Sequence, residues 1–239
     1  MTAWPADPRR KDYAELDSTN EEARRLADAG EEGPLWITAA RQTAGRGRRG
    51  RAWETPAGNL AATLLLRPDA SQAVTGQLSF AAALAAAEMV QHFAPDAAVT
   101  VKWPNDVLVG GRKIAGILLE GGSGWLAIGI GINLAHHPEG MEFPATSLPQ
   151  LGVAPPSCDA ALTLLAVRFA YWYDVWMRNG FEPVRTEWLA RASGLGAPIT
   201  ARLPNETRQG VFEGVDASGA LLLNEQGQIR AIAAGEVFF

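Results

Sequence analysis

The amino-acid sequence predicts an α+β protein in which helices cover a mixed, mostly antiparallel sheet and a small all-β unit follows. Short apolar runs, several with period-two alternation, occupy the first half of the chain, and Ala- and Leu-rich segments with helical spacing lie between and after them. From Pro198 onward only short strand patterns remain, separated by turn signals. The 239 residues are enough for one large domain with its own core and a small appendage.

The amino-terminal segment reads as strand, helix, strand, loop and strand. Residues 11–17 have a strand pattern, and Ser18 and Glu21 then have capping-box spacing, which predicts a helix that begins at or just after Ser18. Residues 35–41 form a second predicted strand. A loop rich in glycine and arginine follows, and residues 59–66 resume as a buried strand.

The middle of the chain contains a long helix and a set of antiparallel strands. Residues 71–93 are rich in alanine, with larger apolar side chains at helical spacing, and predict one helix. Residues 99–103 alternate, and residues 107–109 and 114–120 flank a Gly-Gly turn, which predicts a hairpin. Residues 127–134 form another predicted strand.

The last third changes from helices to strands. Helical patterns cover residues 158–177 and 182–192, and the short strands that follow suit a β-barrel of about forty residues. We therefore expect two domains, residues 1–192 and residues 193–239.

The charge distribution argues for a local anion site. The formal net charge is −5, yet residues 41–51 hold five arginines and no acid, so the rest of the chain carries −10. A duplex-binding protein needs a broad positive surface, so we expect no nucleic-acid partner.

Cys158 stands alone, which excludes an internal disulfide and a thiolate cluster, and the three histidines have no metal-ligand spacing. No protein metal site is expected.

No membrane partner is expected either, because no apolar run approaches the roughly 20 residues that span a bilayer. Residues 1–10 lack the apolar core of a secretory signal, so a cytoplasmic location is predicted. The sequence leaves the oligomeric state open between a monomer and a weak homodimer.

Residues 45–50, Gly-Arg-Gly-Arg-Arg-Gly, match the spacing of a dinucleotide-binding fingerprint. In that fingerprint a helix follows the third glycine, but here Pro56 and Gly58 interrupt the chain, so we reject it. The terminal Gly-Lys-Ser/Thr of a P-loop is also absent. Guanidinium groups on a glycine-rich backbone suit a loop that closes over a phosphate or acyl-phosphate. A solvated basic loop is the alternative.

Two further segments carry polar or glycine residues where a strand needs neither. In residues 127–134 the isoleucines share one face, and Gly129, Gly131 and Asn133 share the other, where a flat ligand or a packed helix could approach closely. Residues 102–106, Lys-Trp-Pro-Asn-Asp, present polar groups at a rigid corner, although a plain turn explains them equally well. Lys113 and Gly116 point to opposite faces of a regular strand, so they share a pocket only if the strand is bulged or Gly116 contributes its backbone.

Five blocks together resemble the biotin protein ligases and occur in that family's order. They are Asp-Ser-Thr-Asn at 17–20, Arg-Gln-Thr-Ala-Gly-Arg-Gly-Arg-Arg-Gly-Arg-Ala-Trp at 41–53, Lys-Trp-Pro-Asn-Asp at 102–106, Lys-Ile-Ala-Gly-Ile-Leu-Leu-Glu at 113–120 and Gly-Ile-Gly-Ile-Asn at 129–133. The resemblance implies a catalytic domain like that of class II aminoacyl-tRNA synthetases, followed by an SH3-like β-barrel. It also implies ATP, Mg²⁺ and biotin, and a biotin carboxyl carrier protein of a biotin-dependent carboxylase as partner.

The implied reaction has two steps, formation of biotinyl-5′-AMP and transfer of biotin to a carrier lysine. The resemblance assigns catalytic roles to Lys113, Arg46 and Arg48. It assigns biotin binding to Ser18, Thr19, Asn20, Gln42, Arg46, Gly47, Arg48, Lys113, Gly116, Gly129 and Gly131. It assigns nucleotide binding to Arg48, Arg51, Trp53, Lys102, Asn105, Asp106 and Asn133.

Three other interpretations stay open at this stage. A lipoate or octanoate ligase or transferase shares the fold, a nucleic-acid-binding module could use the arginines, and a silent biotin-binding protein would bind without activating. Family members that repress transcription carry an amino-terminal helix-turn-helix domain. Here the Ser-Thr-Asn motif already begins at residue 18, which leaves no room for such a domain before it, so no operator binding is expected.

Overall fold

Two sheets and a set of helices make up the computed structural model, which describes residues 9–239 without the side chains of residues 72 and 73. The strands are β1 (Arg9–Leu16), β2 (Leu35–Gln42), β3 (Leu60–Leu66), β4 (Val99–Lys102), β5 (Asp106–Val109), β6 (Arg112–Gly122), β7 (Trp125–Ile132), β8 (Pro198–Arg202), β9 (Thr207–Val215), β10 (Leu221–Glu225), β11 (Gln228–Ile232) and β12 (Glu236–Phe238). The helices are α1 (Thr19–Asp28), α2 (Gln72–Thr75), α3 (Leu78–Phe93), α4 (Cys158–Asn179) and α5 (Phe181–Ala190).

The large sheet has the order β1-β2-β3-β7-β6-β5-β4, and the small one the order β11-β10-β9-β8-β12. Only β1 and β2 pair in parallel, and every other strand pair in both sheets is antiparallel. The predicted α+β class with a mostly antiparallel mixed sheet is therefore confirmed.

The two faces of the large sheet have different coverings. Successive strand residues point to opposite faces, so Leu64 packs with α3 and α4 in the main core, whereas Leu65 packs against Ala23 and Ala27 of α1. The broad apolar face lies under α3, α4 and α5. Helix α1 covers only the end of the other face, which leaves room beside it.

The small sheet packs on the helices and the hairpin of the large one. Its side chains Ile199, Phe212 and Leu221 belong to the same buried core as α3. The Trp103 indole donates to the Gly219 carbonyl at 3.0 Å, so the β4–β5 corner also contacts this sheet. Among residues 9–239, no helix is long and apolar enough to span a bilayer.

Two local predictions were wrong. The predicted helix over residues 71–93 is divided into α2 and α3. The break falls at Gly76, because glycine has a low helix propensity. Beside it, the Gln77 side chain donates to the Ala217 carbonyl and accepts from the Trp176 indole.

The second concerns the capping box of α1. The predicted helix start is correct, with Ser18 as the N-cap residue, but no side-chain cap forms. Glu21 pairs with Arg24 and Arg46 instead of closing a capping box.

Helix α4 offers a matched test of the core. Phe169 is fully buried, with its ring centroid 6.2 Å from that of Trp36, whereas Val167 on the same helix is 61% exposed. We expect Phe169→Ala to lower the free energy of unfolding by about 3–5 kcal/mol, because it removes packing and leaves a cavity. Val167→Ala should change it by about 0.5 kcal/mol or less. Urea unfolding of both variants checks this, and equal effects would contradict the packing described here.

Candidate active site

A bulge in β6 places the Lys113 side chain beside Gly116, on the same face of the sheet. Val107 pairs with Ala115 but Leu108 pairs with Lys113, so β6 contains one extra residue at this point. The Lys113 ammonium consequently lies 3.0 Å from where a Cβ on Gly116 would stand. In a regular strand Lys113 and Gly116 would point to opposite faces, but the bulge lets both residues face one cavity.

The part of the sheet beneath that cavity consists of glycines and an alanine, which have no side chain or a very small one. Strand pairing places Gly116 beside Gly131 and Gly131 beside Ala61, which makes a row of minimal residues across β6, β7 and β3. The Trp53 ring lies against Gly131, and the Asn20 carboxamide lies against Gly129, so closely that a Cβ at either glycine would overlap them. The predicted Gly/Asn face of β7 is therefore the cavity face, and its isoleucines pack into the core.

The cavity has a volume of about 390 Å³. Every residue that the sequence proposed for a site lines it, although their roles stay predictions. These residues are Ser18, Thr19, Asn20, Gln42, Arg46, Gly47, Arg48, Arg51, Trp53, Lys102, Asn105, Asp106, Lys113, Gly116, Gly129, Gly131 and Asn133.

One end of the cavity is built from hydroxyl and amide groups. The Gln42 carbonyl oxygen accepts from the Thr19 backbone N–H at 2.8 Å, and its amide donates to the Thr55 hydroxyl at 3.0 Å. The buried Thr63 hydroxyl lies 2.7 Å from the Asn20 carboxamide oxygen and 2.8 Å from the Thr19 hydroxyl. These contacts fix which way each amide points, so the end presents an ordered set of donors and acceptors.

The arginine loop folds over the cavity and is held at several points. Its backbone closes on itself, with the Gly47 N–H donating to the Arg51 carbonyl at 2.7 Å. Arg46 pairs with Glu21, and Arg51 pairs with Glu236 of β12. Arg48 donates to the Gly235 carbonyl at 3.2 Å, and burial lowers the pKa of its guanidinium, which stays charged at neutral pH. The loop is therefore anchored to α1 and to the small sheet.

Two lysines bring positive charge to the other end. The Lys113 ammonium lies 2.6 Å from an Asp106 oxygen and 5.5 Å from the Trp53 ring centroid. Lys102 is only 5% exposed, and its ammonium lies 3.4 Å from the Phe143 ring centroid. Burial lowers the pKa of Lys102 to about 8, although the charge of nearby Asp106 opposes the shift.

Two of the predicted polar residues also hold the backbone around the cavity. The Asn133 amide donates to the Thr146 carbonyl at 3.1 Å, which fixes the segment that follows β7. Asn105 bonds through its amide to the Ile117 carbonyl, and the Ile117 N–H donates back to the Asn105 carbonyl at 2.9 Å. Both side chains therefore hold the backbone of the cavity walls in position.

Sequence reasoning missed several residues at the cavity or beside it. Phe143 and Glu236 line it, Glu120 bonds to Asn20, and Thr63 lies directly beneath. Thr63 carried a signal, because it is the one polar residue in the apolar run of β3. The others are ordinary residue types whose position depends on tertiary pairing.

Of the carboxylates that line the cavity, Asp106 pairs with Lys113, Glu236 with two arginines and Glu142 with Arg202, so these three do not present a free set of metal ligands. Within residues 9–239, no group of three or more His, Cys, Asp or Glu side chains is arranged to hold a metal.

Two family models match the chain. The biotin/lipoate A/B protein ligase family matches residues 14–135, and the biotin protein ligase C-terminal domain matches residues 194–239. The chain is 46% identical to the biotin–acetyl-CoA-carboxylase ligase of Paracoccus denitrificans, over 95% of this chain and 98% of that one. It is 34% identical to the bifunctional ligase/repressor BirA of Bacillus subtilis, over 93% of this chain and 71% of that one.

Solved structures agree with this. A biotin protein ligase from Aquifex aeolicus in complex with biotin and ATP superposes with a TM-score of 0.85 at 27% identity, covering 96% of this chain and 97% of that one. The Leishmania major biotin protein ligase in complex with biotinyl-5-AMP superposes with a TM-score of 0.71 at 25% identity, covering 96% of this chain and all of that one. The chain belongs to the biotin protein ligases of the biotin/lipoate A/B protein ligase family.

Lys102 provides a pH-dependent test of the site. Its lowered pKa means that the ammonium is charged below about pH 8 and neutral above it, whereas an unfolded lysine stays charged to about pH 10.4. The burial of the charge therefore opposes folding below about pH 8, and this opposition disappears as the pH rises toward 10.4.

We expect a side-chain NMR titration to show one of the three lysines with a midpoint near 8. Lys102→Met should remove that signal and assign it. A Lys102 midpoint near the ordinary lysine value of about 10.4 would contradict the burial of this amine.

Proposed function

We propose that this protein activates biotin with ATP and transfers it to a lysine of a biotin carboxyl carrier protein. The observation that carries the proposal is the cavity itself, in which a polar slot with fixed amides meets a cluster of arginine and lysine charges. A ureido ring needs directional donors and acceptors, and a carboxylate and a triphosphate need cations. The names of the relatives point to the same substrates.

In the first step the biotin carboxylate attacks the α-phosphorus of ATP. The new bond joins the carboxylate oxygen to phosphorus, and pyrophosphate leaves with the electron pair of the broken bond. Thr19, Asn20 and Gln42 would hold the ureido head, and the glycine row would accept the flat rings. No general base is needed, because the carboxylate is already ionised at neutral pH.

Charge neutralisation would then lower the barrier. Both reactants are anions, so the reaction depends on positioning and on cations at the place where charge develops. Lys113 and Arg48 supply fixed positive charge in a partly dehydrated site, where it acts more strongly than in water. Mg²⁺ carried by the ATP phosphates would add to it.

In the second step the carrier lysine attacks the acyl carbon, AMP leaves, and the amine loses its proton. Until the carrier arrives, the mixed anhydride must be kept from water. The arginine loop is suited to this, because it covers the cavity and is anchored to α1 and to the small sheet. The acceptor we propose is the carrier of acetyl-CoA carboxylase, after the name of the Paracoccus relative.

The proposal includes four further properties of the protein that the sequence predicts. They are the division into residues 1–192 and 193–239, the cytoplasmic location, the absence of a nucleic-acid partner and a state of monomer or weak homodimer.

Intact-mass analysis of a carrier domain tests the proposal. The carrier is incubated with this protein, Mg·ATP and either biotin or lipoate. A biotin-sized mass gain that requires ATP supports the ligase. A mass gain with lipoate alone would indicate a lipoate ligase instead. No mass gain with either compound would indicate a protein that binds biotin without activating it.

Replacing Lys113 should abolish most of the first step. We expect Lys113→Ala to slow biotin-dependent pyrophosphate release by about 10²-fold or more, because the developing charge loses a preorganised cation. Arg112→Ala removes the neighbouring exposed cation and is the matched control. Similar rates for both variants would remove Lys113 from this role.

Loosening the loop at Arg48 should release the intermediate. We expect Arg48→Gly to biotinylate bystander proteins without selectivity, because the loop loses its contact with the Gly235 carbonyl and a charge over the acyl-phosphate. Arg41→Ala, on the exposed end of β2, is the control. The readout is biotin incorporation into serum albumin added to the reaction, and unchanged selectivity would argue against retention by Arg48.

A further inference from the structure

Glu120 belongs to the sequence block at residues 113–120 but has no role in the reaction described above. It lies near the end of β6, two residues beyond Leu118, which lines the cavity. Its two carboxylate oxygens have different partners. One accepts from the Asn20 amide at 2.8 Å, and the other lies 3.5 Å from the Arg46 guanidinium.

Glu120 therefore joins two parts of the site. The Asn20 oxygen is engaged by the Thr63 hydroxyl, so its NH₂ group faces the carboxylate and the orientation of the amide is determined. On the other side, Arg46 is held between Glu120 and Glu21 of α1, and the hydrogen bond from Arg46 lowers the pKa of Glu21. A continuous chain of contacts leads from the buried hydroxyl to the arginine loop.

We propose that Glu120 is a positioning residue that couples the ureido end of the cavity to closure of the arginine loop. The inference rests on the proposed function, because it assigns the Asn20 end to the biotin head. A ligand that orders Asn20 also orders Glu120, and Glu120 then holds Arg46 and the loop over the bound intermediate. The loop would thus close best when the correct head group is present.

The neighbouring residues allow the two arms of Glu120 to be separated. Thr63 contacts Asn20 and Thr19 but not Arg46, whereas Glu21 contacts Arg46 and Arg24 but not Asn20. Thr63→Val therefore disturbs the head-group arm alone, and Glu21→Gln disturbs the loop arm alone. Glu120→Ala removes both, and Glu120→Gln keeps an oxygen for the Asn20 amide but loses the charge for Arg46.

The experiment measures two quantities for each variant, the KM for biotin in pyrophosphate release and the labelling of bystander albumin. We expect Thr63→Val to raise the KM about 5- to 10-fold, a change in the range of one lost hydrogen bond, and to raise bystander labelling less than Glu21→Gln does, because the head-group arm reaches the loop only through Glu120. Glu21→Gln should raise bystander labelling with the KM within about twofold of wild type. Glu120→Ala should change both, and Glu120→Gln should change only the labelling.

Glu22→Gln is the matched control, because Glu22 lies beside Glu21 but its carboxylate bonds to Tyr13 and Arg25 rather than to Arg46. It should match wild type in both measurements. Melting temperatures identify any variant that is merely unstable, and the graded behaviour of Glu120→Gln is not expected from a general loss of structure.

Two results would overturn the coupling. One is a Glu120→Ala variant that changes only one of the two quantities, and the other is a Glu120→Gln variant that matches Glu120→Ala in the KM. Wild-type protein that labels its carrier while the Glu120 variants behave like wild type would refute the inference and leave the ligase intact. Wild-type protein that labels no carrier would instead refute the proposed function.

Discussion

The site depends on a row of positions in the large sheet that have almost no side chain. Gly116, Gly131 and Ala61 are neighbours across three strands, so the strand register itself makes the depression. Trp53 and Asn20 then use the free space above the glycines, and the bulge in β6 brings Lys113 to the rim. A methyl group on Gly131 would displace the Trp53 ring, and one on Gly129 would displace the Asn20 amide, so the geometry above the sheet would change.

Charge is arranged in a complementary way. The arginine loop carries the excess of positive charge, and the acidic body meets it with Glu21, Glu120 and Glu236, each from a different element. Such partly exposed pairs contribute little stability individually. Their value lies in location, because they determine where a glycine-rich segment rests. The small sheet takes part through Glu236 and the Gly235 carbonyl, so it belongs to the cavity as well as to the core.

The sequence predicted most of the large sheet, because its strands have clear alternation and its turns have glycine. It also selected the cavity residues, since glycines inside β7 and arginines between glycines are unusual wherever they occur. It failed where tertiary contacts decide. Gly76 breaks a helix that periodicity continues, and Glu21 prefers Arg46 to a cap. Glu236 and Phe143 gave no local signal, because their importance arises from the folding of distant segments onto Arg51 and Lys102.

The position of the final strand has a practical consequence. Phe238 lines the cavity, and the Phe239 ring lies against Gly194 with its centroid 5.9 Å from the Lys102 ammonium. Any purification tag or fused reporter joined after Phe239 would thus emerge close to the Lys102 end of the cavity. Labels for imaging or capture are better placed in an exposed turn of the small sheet, such as the one between β10 and β11.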